Sequence, residues 1–221
     1  MIAIDRVLTS DELAHVRAAL AEAPFIDGQL RGKGAGTVGK KANGQIDFDD
    51  PTALDLTSLV KTALMRHPTF PVYARPSRWT KMRFARYVPG NGYGMHVDFP
   101  VMQDDRGLVR SDLSFTLYLS DPDSYDGGEL HLDMAGENRT VKLEAGSAIV
   151  YSTRVPHCVS PVTRGERYVC VGWVQSVLRR EDQREIVYDL VRLRSVVPEG
   201  GEPRLLLEKT LGNLVRLWAE T

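Results

Sequence analysis

The sequence predicts a mainly β protein with helices on both sides of the β region. Between residues 79 and 175, short β-rich runs alternate with turn clusters such as PGNG, DPDSYDGG and AGEN. Helical periodicity occurs before and after this region but not within it. Closely spaced strands without intervening helices favour an antiparallel sandwich or barrel over βαβ units.

Composition gives no reason to expect a nucleic-acid or membrane partner. The 221 residues are 43% hydrophobic and 26% charged, with a net charge of −1. No apolar run approaches the ~18 residues of a membrane span, and the first residues lack a signal-peptide pattern. Two cysteines are too few for a disulfide framework or a thiolate metal cluster. We therefore predict a cytoplasmic globular protein.

Two helices are predicted before the β region. The first begins at a capping box, in which Thr9 caps the helix and Glu12 reaches back to it. The second begins after Asp50, with Pro51 at its first position. Its apolar stripe predicts a buried face and consists of Leu56, Leu59, Val60, Ala63 and Leu64.

The Gly- and Lys-rich stretch between these helices, residues 28–45, is predicted to be loop. Its GAGTVG segment matches the G-x-G-x-x-G pattern, but no helix pattern follows, so a dinucleotide site is rejected. A mobile loop over a pocket is the preferred interpretation, with residues 32–45 as a candidate lid. Lys40, Lys41 and Asn43 would then face ligand or solvent.

The β region contains several predicted strands, and two amphipathic helices follow it. The strands correspond to the runs KMRFARYV, DLSFTLYLS, GELHLDM, RTVKLEA, SAIVYS and RYVCVGWVQ. The last helix carries one apolar stripe, formed by Leu211, Leu214, Val215 and Trp218. This tail is expected to bury that stripe, and a homo-oligomer through the tail is compatible with the sequence.

Three residues of the β region form a candidate metal site. His96 and Asp98 lie two apart in YGMHVDFP, so in a strand they project to the same side. His157 precedes the last strand. Two imidazoles and one carboxylate, with open coordination positions, are typical of a non-haem Fe(II) oxygenase. His131 is predicted to be structural or pocket-lining, and alternation directs Cys158 away from the metal.

Arg167 lies ten residues after His157 and begins the strand RYVCVGWVQ. Alternation places it on the same face as Val169, Val171 and Trp173, which is the expected inner face. A buried guanidinium needs an anionic partner. That partner is either the carboxylate of a bound ligand, held by two parallel hydrogen bonds, or a structural Asp or Glu.

Together these motifs resemble the Fe(II)/2-oxoglutarate-dependent dioxygenases of the prolyl/lysyl hydroxylase type. More narrowly, the chain is similar to the bacterial PKHD-type hydroxylases associated with iron uptake. The resemblance includes RFARYVPGNGYGMHVDFPVM, LSFTLYLSDPDSYDGGEL, AGSAIVYSTRVPHCVSPVTRGERYVCVGWVQS and the tail. The segment HVDFPVM departs from the HVDNA or HVDNP of many members, and this difference falls at the expected pocket mouth.

The resemblance implies a double-stranded β-helix, or jelly roll, as the core fold. It implies that His96, Asp98 and His157 bind Fe(II) and that Arg167 binds the distal carboxylate of 2-oxoglutarate. Tyr118, and less directly Tyr87, would help to hold that carboxylate. The expected reaction uses O2, releases succinate and CO2 and hydroxylates a substrate, with ascorbate as reductant.

The expected organisation has three parts. Residues 1–78 form an N-terminal helical support, residues 79–176 the dioxygenase core and residues 177–221 a helical extension. A cupin-like metal and 2-oxoglutarate sensor without turnover is the alternative function. A metal-dependent hydrolase is disfavoured because no general base is evident beside the triad. The substrate stays open between peptidyl proline, another protein side chain and a siderophore-like small molecule.

Overall fold

The computed structural model describes residues 1–31, 35–104, 106–134 and 136–220. Within these ranges, five α-helices flank a core of antiparallel strands. The helices are α1 (Ser10–Glu22), α2 (Pro51–Arg66), α3 (Phe70–Ala74), α4 (Glu181–Leu193) and α5 (Gly201–Trp218). Both predicted helix starts are confirmed, because Thr9 and Glu12 form the capping box and Asp50 accepts from Thr52 N–H.

Within the described residues, the strands form two main sheets and two separate two-stranded sheets. In chain order they are β1 (Ile2–Ile4), β2 (Ile26–Asp27), β3 (Ala35–Ala42), β4 (Gly44–Gln45), β5 (Pro76–Trp79), β6 (Arg83–Tyr87), β7 (Gly92–Val97), β8 (Val101–Asp104), β9 (Gly107–Arg110), β10 (Leu113–Tyr118), β11 (Asp126–Gly127), β12 (Leu130–Met134), β13 (Glu137–Val141), β14 (Ala148–Ser152), β15 (His157–Val159), β16 (Val162–Arg164) and β17 (Arg167–Ser176). All six strand-forming runs named from the sequence contain strands.

An eight-stranded major sheet has the order β1-β14-β10-β17-β6-β4-β2, with β5 also paired to β17. A five-stranded minor sheet has the order β13-β12-β15-β7-β3. The strands β8 and β9 pair with each other, as do β11 and β16. The two main sheets face each other, so their inner faces enclose the apolar cluster that surrounds the candidate site.

The central strand β10 shows how the major sheet separates two environments. Leu113, Phe115 and Leu117 face the helices α1 to α3 and belong to the largest hydrophobic cluster. Ser114, Thr116 and Tyr118 face the minor sheet. Because both faces are covered, all six residues of the strand are buried. The helices therefore support the back of the sheet that carries the site.

The loop prediction is wrong for residues 28–31 and for most of residues 35–45. A 3-10 helix covers Gly28–Arg31, β3 pairs with β7, and β4 pairs with β6. The pairing of β3 shifts register twice, and Gly36 and Gly39 within it have φ of 62° and 93°. Such irregularities remove the period-2 pattern that marks a strand in a sequence. The lid prediction is not supported for residues 35–45, and residues 32–34 lie outside the described part.

Candidate metal centre

The structure brings His96, Asp98 and His157 together between the two sheets. His96 is near the end of β7, Asp98 follows that strand, and His157 begins β15. The strands β7 and β15 pair so that the two histidines are direct cross-strand neighbours. All three residues are buried, and one donor atom from each lies within 4.8 Å of the others. Three donors at this separation can coordinate one ion.

Backbone carbonyl groups fix the orientation of both imidazole rings. Nδ1 of His96 lies 2.8 Å from the carbonyl oxygen of Gly94, and Nδ1 of His157 lies 2.9 Å from that of Val155. A carbonyl oxygen only accepts, so Nδ1 carries the proton in each ring. Each Nε2 is thereby left with a free lone pair, as in a metal-binding histidine. The Tyr93 ring stacks on His96 with a centroid distance of 3.7 Å.

The electrostatics of the cluster fit a bound cation. Burial, with a smaller effect from His157, lowers the pKa of His96 to about 4, so its imidazole is neutral at pH 7. Burial also raises the pKa of Asp98, and the attraction of His157 opposes this shift. The Asp98 Oδ2 atom is buried and accepts no hydrogen bond from a residue that the structure describes. A divalent cation would compensate this carboxylate and bind the Nε2 atoms of both rings.

The triad lies in the wall of a cavity of about 760 Å³ that opens to solvent. The wall contains residues from both sheets and from the segment that joins β3 to β4. Its residues are Asn43, Gln45, Arg83, Ala85, Tyr87, Tyr93, His96, Asp98, Phe99, Met102, Thr116, Leu130, Tyr151, His157, Val159, Arg167, Val171 and Trp173.

Arg167 projects into this cavity from the first position of β17, on the face expected from alternation. It is 1% exposed, and its Nε and Nη1 atoms are buried without an acceptor among the described residues. The guanidinium carbon lies 4.9 Å from the centroid of the Tyr87 ring and 5.5 Å from that of Tyr118. Neither an Asp nor a Glu of the described chain pairs with it. The structure therefore disfavours the structural ion pair and leaves room for a ligand anion.

The two tyrosines named from the sequence have different environments. Tyr87 lines the cavity. Tyr118 is fully buried, does not line it, and donates from its hydroxyl to the Val141 carbonyl at 3.0 Å. Burial raises the pKa of Tyr118 to about 12, although the charge of Arg167 acts in the opposite direction. The Tyr118 phenol is therefore protonated at pH 7, so it can act as a hydrogen-bond donor but not as an anion.

Sequence reasoning missed Tyr93 and Tyr125. Tyr93 belongs to the same strand as His96, but its stacking on that ring could not be deduced from spacing. Tyr125 is fully buried, and the charge of Arg167 opposes the rise in its pKa that burial causes. It follows a turn-forming DPDS segment, where no periodic pattern marks a buried side chain.

The other histidine of the β core and the cysteine beside His157 face away from the centre. His131 pairs in register with Cys158, whereas its neighbour Leu132 pairs with His157. Cross-strand partners share a face of the sheet, so His131 and Cys158 lie on the outer face. Nδ1 of His131 lies 3.0 Å from Thr140 Oγ1. The orientation of Cys158 agrees with the one expected from alternation, and His131 does not line the cavity.

Comparison with known proteins identifies the family. The 2OG-Fe(II) oxygenase superfamily model matches residues 82–175. A PKHD-type hydroxylase from Maricaulis maris is 42% identical over 100% of this chain and 99% of its own length. One from Acaryochloris marina is 43% identical over 100% of both chains. The chain belongs to the PKHD-type hydroxylase family. The match to the superfamily model places this chain among the 2OG-Fe(II) oxygenases, as the sequence predicted.

Solved structures show the same fold at lower identity. A prolyl-4-hydroxylase from Pseudomonas putida has 24% identity and a TM-score of 0.52, over 79% of this chain and 91% of that one. A prolyl hydroxylase from Trichoplax adhaerens, in complex with a hypoxia inducible factor peptide fragment, has 20% identity and a TM-score of 0.56, over 84% and 86% of the chains. The predicted jelly-roll core is thereby confirmed.

This PKHD-type protein is an Fe(II)- and 2-oxoglutarate-dependent dioxygenase, and O2 is its second cosubstrate. The predicted enzyme class is confirmed, and the alternative of a sensor without turnover is set aside. Within the described residues, no helix is both long and apolar enough to span a membrane.

Proposed function

We propose that His96, Asp98 and His157 hold the Fe(II) ion and that Arg167 holds the distal carboxylate of 2-oxoglutarate. One observation carries this assignment. The cavity that contains three convergent metal-donor atoms also contains a buried guanidinium with unused donors. Both features leave buried polar groups unsatisfied in the protein alone, and iron together with a dicarboxylate satisfies both.

The roles of the protein residues follow from their contacts. The carbonyl groups of Gly94 and Val155 hold the two imidazoles with Nε2 available. Arg167 offers a planar pair of N–H donors, which suits a carboxylate better than a point charge does. Tyr87 and Tyr118 flank the guanidinium with their ring faces and limit its movement.

When bound, iron and 2-oxoglutarate supply O2 activation with release of succinate and CO2. The cavity wall contributes by positioning the substrate C–H group and by excluding water. Trp173 and Phe99 supply apolar surface on this wall. The substrate that we propose is a peptidyl side chain or a small molecule, and the prolyl hydroxylases of related fold support the first choice.

Three further assignments complete the proposal. Residues 79–176 act as the catalytic core, with residues 1–78 as support and residues 177–221 as an extension. Ascorbate acts as reductant during cycles without substrate. The enzyme works in the cytoplasm, which agrees with two cysteines that are both free thiols.

Succinate formation tests the proposal without knowledge of the substrate. The full chain with Fe(II), 2-oxoglutarate and O2 is expected to form succinate slowly, and ascorbate is expected to prolong this activity. Asp98→Ala should abolish it, whereas the outward-facing His131→Ala should retain it. Parental succinate formation by Asp98→Ala would refute the assigned iron site, and no effect of ascorbate would refute its assigned role.

A further inference from the structure

The proposed iron and 2-oxoglutarate sites leave two carboxamide side chains of the cavity without an assigned role. Asn43 joins β3 to β4, and Gln45 is the last residue of β4. They are 5% and 4% exposed, and both line the cavity. Being two apart in an extended segment, they project to the same side. They form one polar patch on an otherwise largely apolar wall.

The acceptor atoms of this carboxamide pair are unsatisfied. Asn43 Oδ1 and Gln45 Oε1 are buried and accept no hydrogen bond from any residue in the described ranges. Buried polar atoms are normally satisfied, so each exception requires a partner from outside the chain or a specific reason. Because both residues line the ligand cavity, a bound ligand is the available source of the missing donors.

The backbone holds the pair in a defined place. The N–H of Gly28 donates to the Asn43 carbonyl oxygen at 2.8 Å. A Cβ atom at position 28 would lie only 1.9 Å from Asn43 Oδ1, so this side chain occupies space that glycine leaves open. Gln45 pairs in register with Ala85 of β6, which is also a cavity residue. The patch is therefore part of the sheet architecture.

The chemistry of 2-oxoglutarate excludes it as the missing donor. At neutral pH its two carboxylates and its ketone offer only acceptor oxygens. A carboxamide oxygen needs an N–H or O–H group. The primary substrate is the cavity ligand that can provide such a group.

The charge around the pair selects against one kind of donor. Lys41 is buried, with its Nζ 5.5 Å from the centroid of the Tyr93 ring. The Arg83 guanidinium carbon lies 5.3 Å from the centroid of the Trp173 ring. Both aromatic residues line the cavity. Arg83 lines the cavity and Lys41 lies over the ring of Tyr93, so both cations disfavour an ammonium group by like-charge repulsion, and a neutral donor fits better.

We infer that Asn43 and Gln45 bind the primary substrate, and that the substrate presents a neutral amide to them. An amide has one donor and one acceptor, which match the oxygen and the –NH2 group of a carboxamide. A peptide backbone meets this requirement, whereas the charged end of a lysine side chain does not. This inference rests on the proposed function, because it assumes that iron and 2-oxoglutarate occupy the rest of the cavity.

The test uses small amide probes and the side-chain NMR signals of the two residues. The full chain is loaded with 2-oxoglutarate and with Zn(II), a diamagnetic substitute that prevents turnover. The probes are N-acetylglycine N-methylamide, N-acetylsarcosine N,N-dimethylamide, which has no N–H group, and N-acetyllysine N-methylamide, which adds an ammonium. The ¹⁵N–¹H₂ signals of Asn43 and Gln45 are assigned from their alanine variants.

We expect the first probe to shift both signals and the other two to bind about 10-fold more weakly. Gln45→Leu should lower the affinity for the first probe by a similar factor. Gln103 is an exposed carboxamide of β8 outside the cavity, and Gln103→Leu should leave probe binding unchanged.

Four results would overturn the inference. The first is that the N-acetylglycine probe leaves both side-chain signals unshifted. The second and third are that the probe without N–H groups, or the probe with an ammonium group, binds as tightly as the first probe. The fourth is that Gln45→Leu binds the first probe with the affinity of the parent. A loss of 2-oxoglutarate affinity in Gln45→Leu larger than the loss of probe affinity would also reassign the pair to the cosubstrate. Succinate formation is measured separately, so a failed inference leaves the proposed function standing.

Discussion

Arg167 connects the chemistry of the site to the energetics of the chain. A guanidinium in a protein is always charged, and at 1% exposure it has lost its hydration. The rings of Tyr87 and Tyr118 compensate part of this loss through cation–π contacts. An anion can supply the remaining compensation, which is why the proposed cosubstrate assignment centres on this residue.

Arg167→Ala is expected to weaken 2-oxoglutarate binding and to spare iron binding. Truncating one partner of a buried charge pair costs about 2–5 kcal/mol, or roughly 30- to several-thousand-fold in affinity. Arg167→Lys should restore only part of this, because an ammonium lacks the planar pair of donors. The measurement is an anaerobic titration of the metal-to-ligand charge-transfer band. Parental affinity in Arg167→Ala would make Arg83 the next candidate.

Lys41 gives a prediction about pH. Burial, with the charge of Arg83 as a second cause, lowers the pKa of Lys41 from 10.5 to about 8. Between pH 8 and 10.5 the unfolded chain binds more protons at this position, so the Lys41 contribution to stability rises with pH across that window. At pH 7 this difference in pKa corresponds to about 3 kcal/mol against folding, which partial solvent screening reduces to roughly 2–3 kcal/mol.

Lys41→Met should therefore raise the free energy of unfolding at pH 7 by about that amount. Its advantage over the parent should shrink as the pH rises toward 10.5. Urea unfolding at several pH values measures both effects. Lys40→Met is the matched control, because Lys40 is exposed. A Lys41→Met advantage that does not change with pH would show that packing, not charge, causes it.

The sequence revealed the triad and Arg167 more easily than their neighbours. His96, Asp98 and Arg167 lie in strands or directly beside them, where alternation gives the direction of each side chain. Gln45 lies on a two-residue edge strand after a Gly-rich segment, so no pattern marks it as buried. Its role depends on pairing with β6, a contact between distant parts of the chain.

At the scale of elements, β3 connects the two sheets. It pairs with β7 of the minor sheet, and β4, which follows it directly, pairs with β6 of the major sheet. This connection brings the carboxamide pair to the cavity wall. At Gly94 of β7, an added Cβ would lie 2.0 Å from the Val38 carbonyl oxygen, so the close approach of β3 requires glycine there.

The C-terminal helices are a packed part of the fold. α5 packs on α4 around a small hydrophobic cluster that includes Leu178, Val187 and Leu211. The predicted stripe is confirmed in part, because Leu211 is buried whereas Leu214, Val215 and Trp218 are partly buried against this cluster. Arg110 of β9 also binds Glu220 at 2.6 Å, which ties the end of the chain to the β region.

Leu211→Ala tests whether this packing stabilises the protein. Leu211 is 4% exposed, whereas Leu217 on the same helix is 76% exposed. Truncating a buried leucine costs about 2–5 kcal/mol, so Leu211→Ala should lower the free energy of unfolding by that amount. Leu217→Ala should have little effect on the free energy of unfolding.

Deletion of residues 177–221 should give insoluble or much less stable protein. A soluble truncation with a parental melting temperature would identify the tail as a detachable arm.

At the scale of the whole molecule, the two sheets and their helices hold a polar site inside an apolar shell. The β region and the flanking helices were predictable because period-2 runs, turn clusters and helix caps are local signals. The short strands β1, β2 and β5, the β8–β9 hairpin and α3 were not predicted. They are too short to carry a period, and most depend on pairing with distant strands. The sequence thus predicted the core and its metal-donor set better than the edges of the cavity.

Iron binding by the triad variants tests the central claim most directly. Under anaerobic conditions the parent should bind one Fe(II) ion. This binding is monitored by the charge-transfer band that appears when 2-oxoglutarate is added. His96→Ala, Asp98→Ala and His157→Ala should each lose this binding while the β core stays folded by circular dichroism. His131→Ala, on the outer face of the same sheet, should bind iron like the parent. Parental Fe(II) affinity in the triple variant would contradict the account and place the metal site elsewhere.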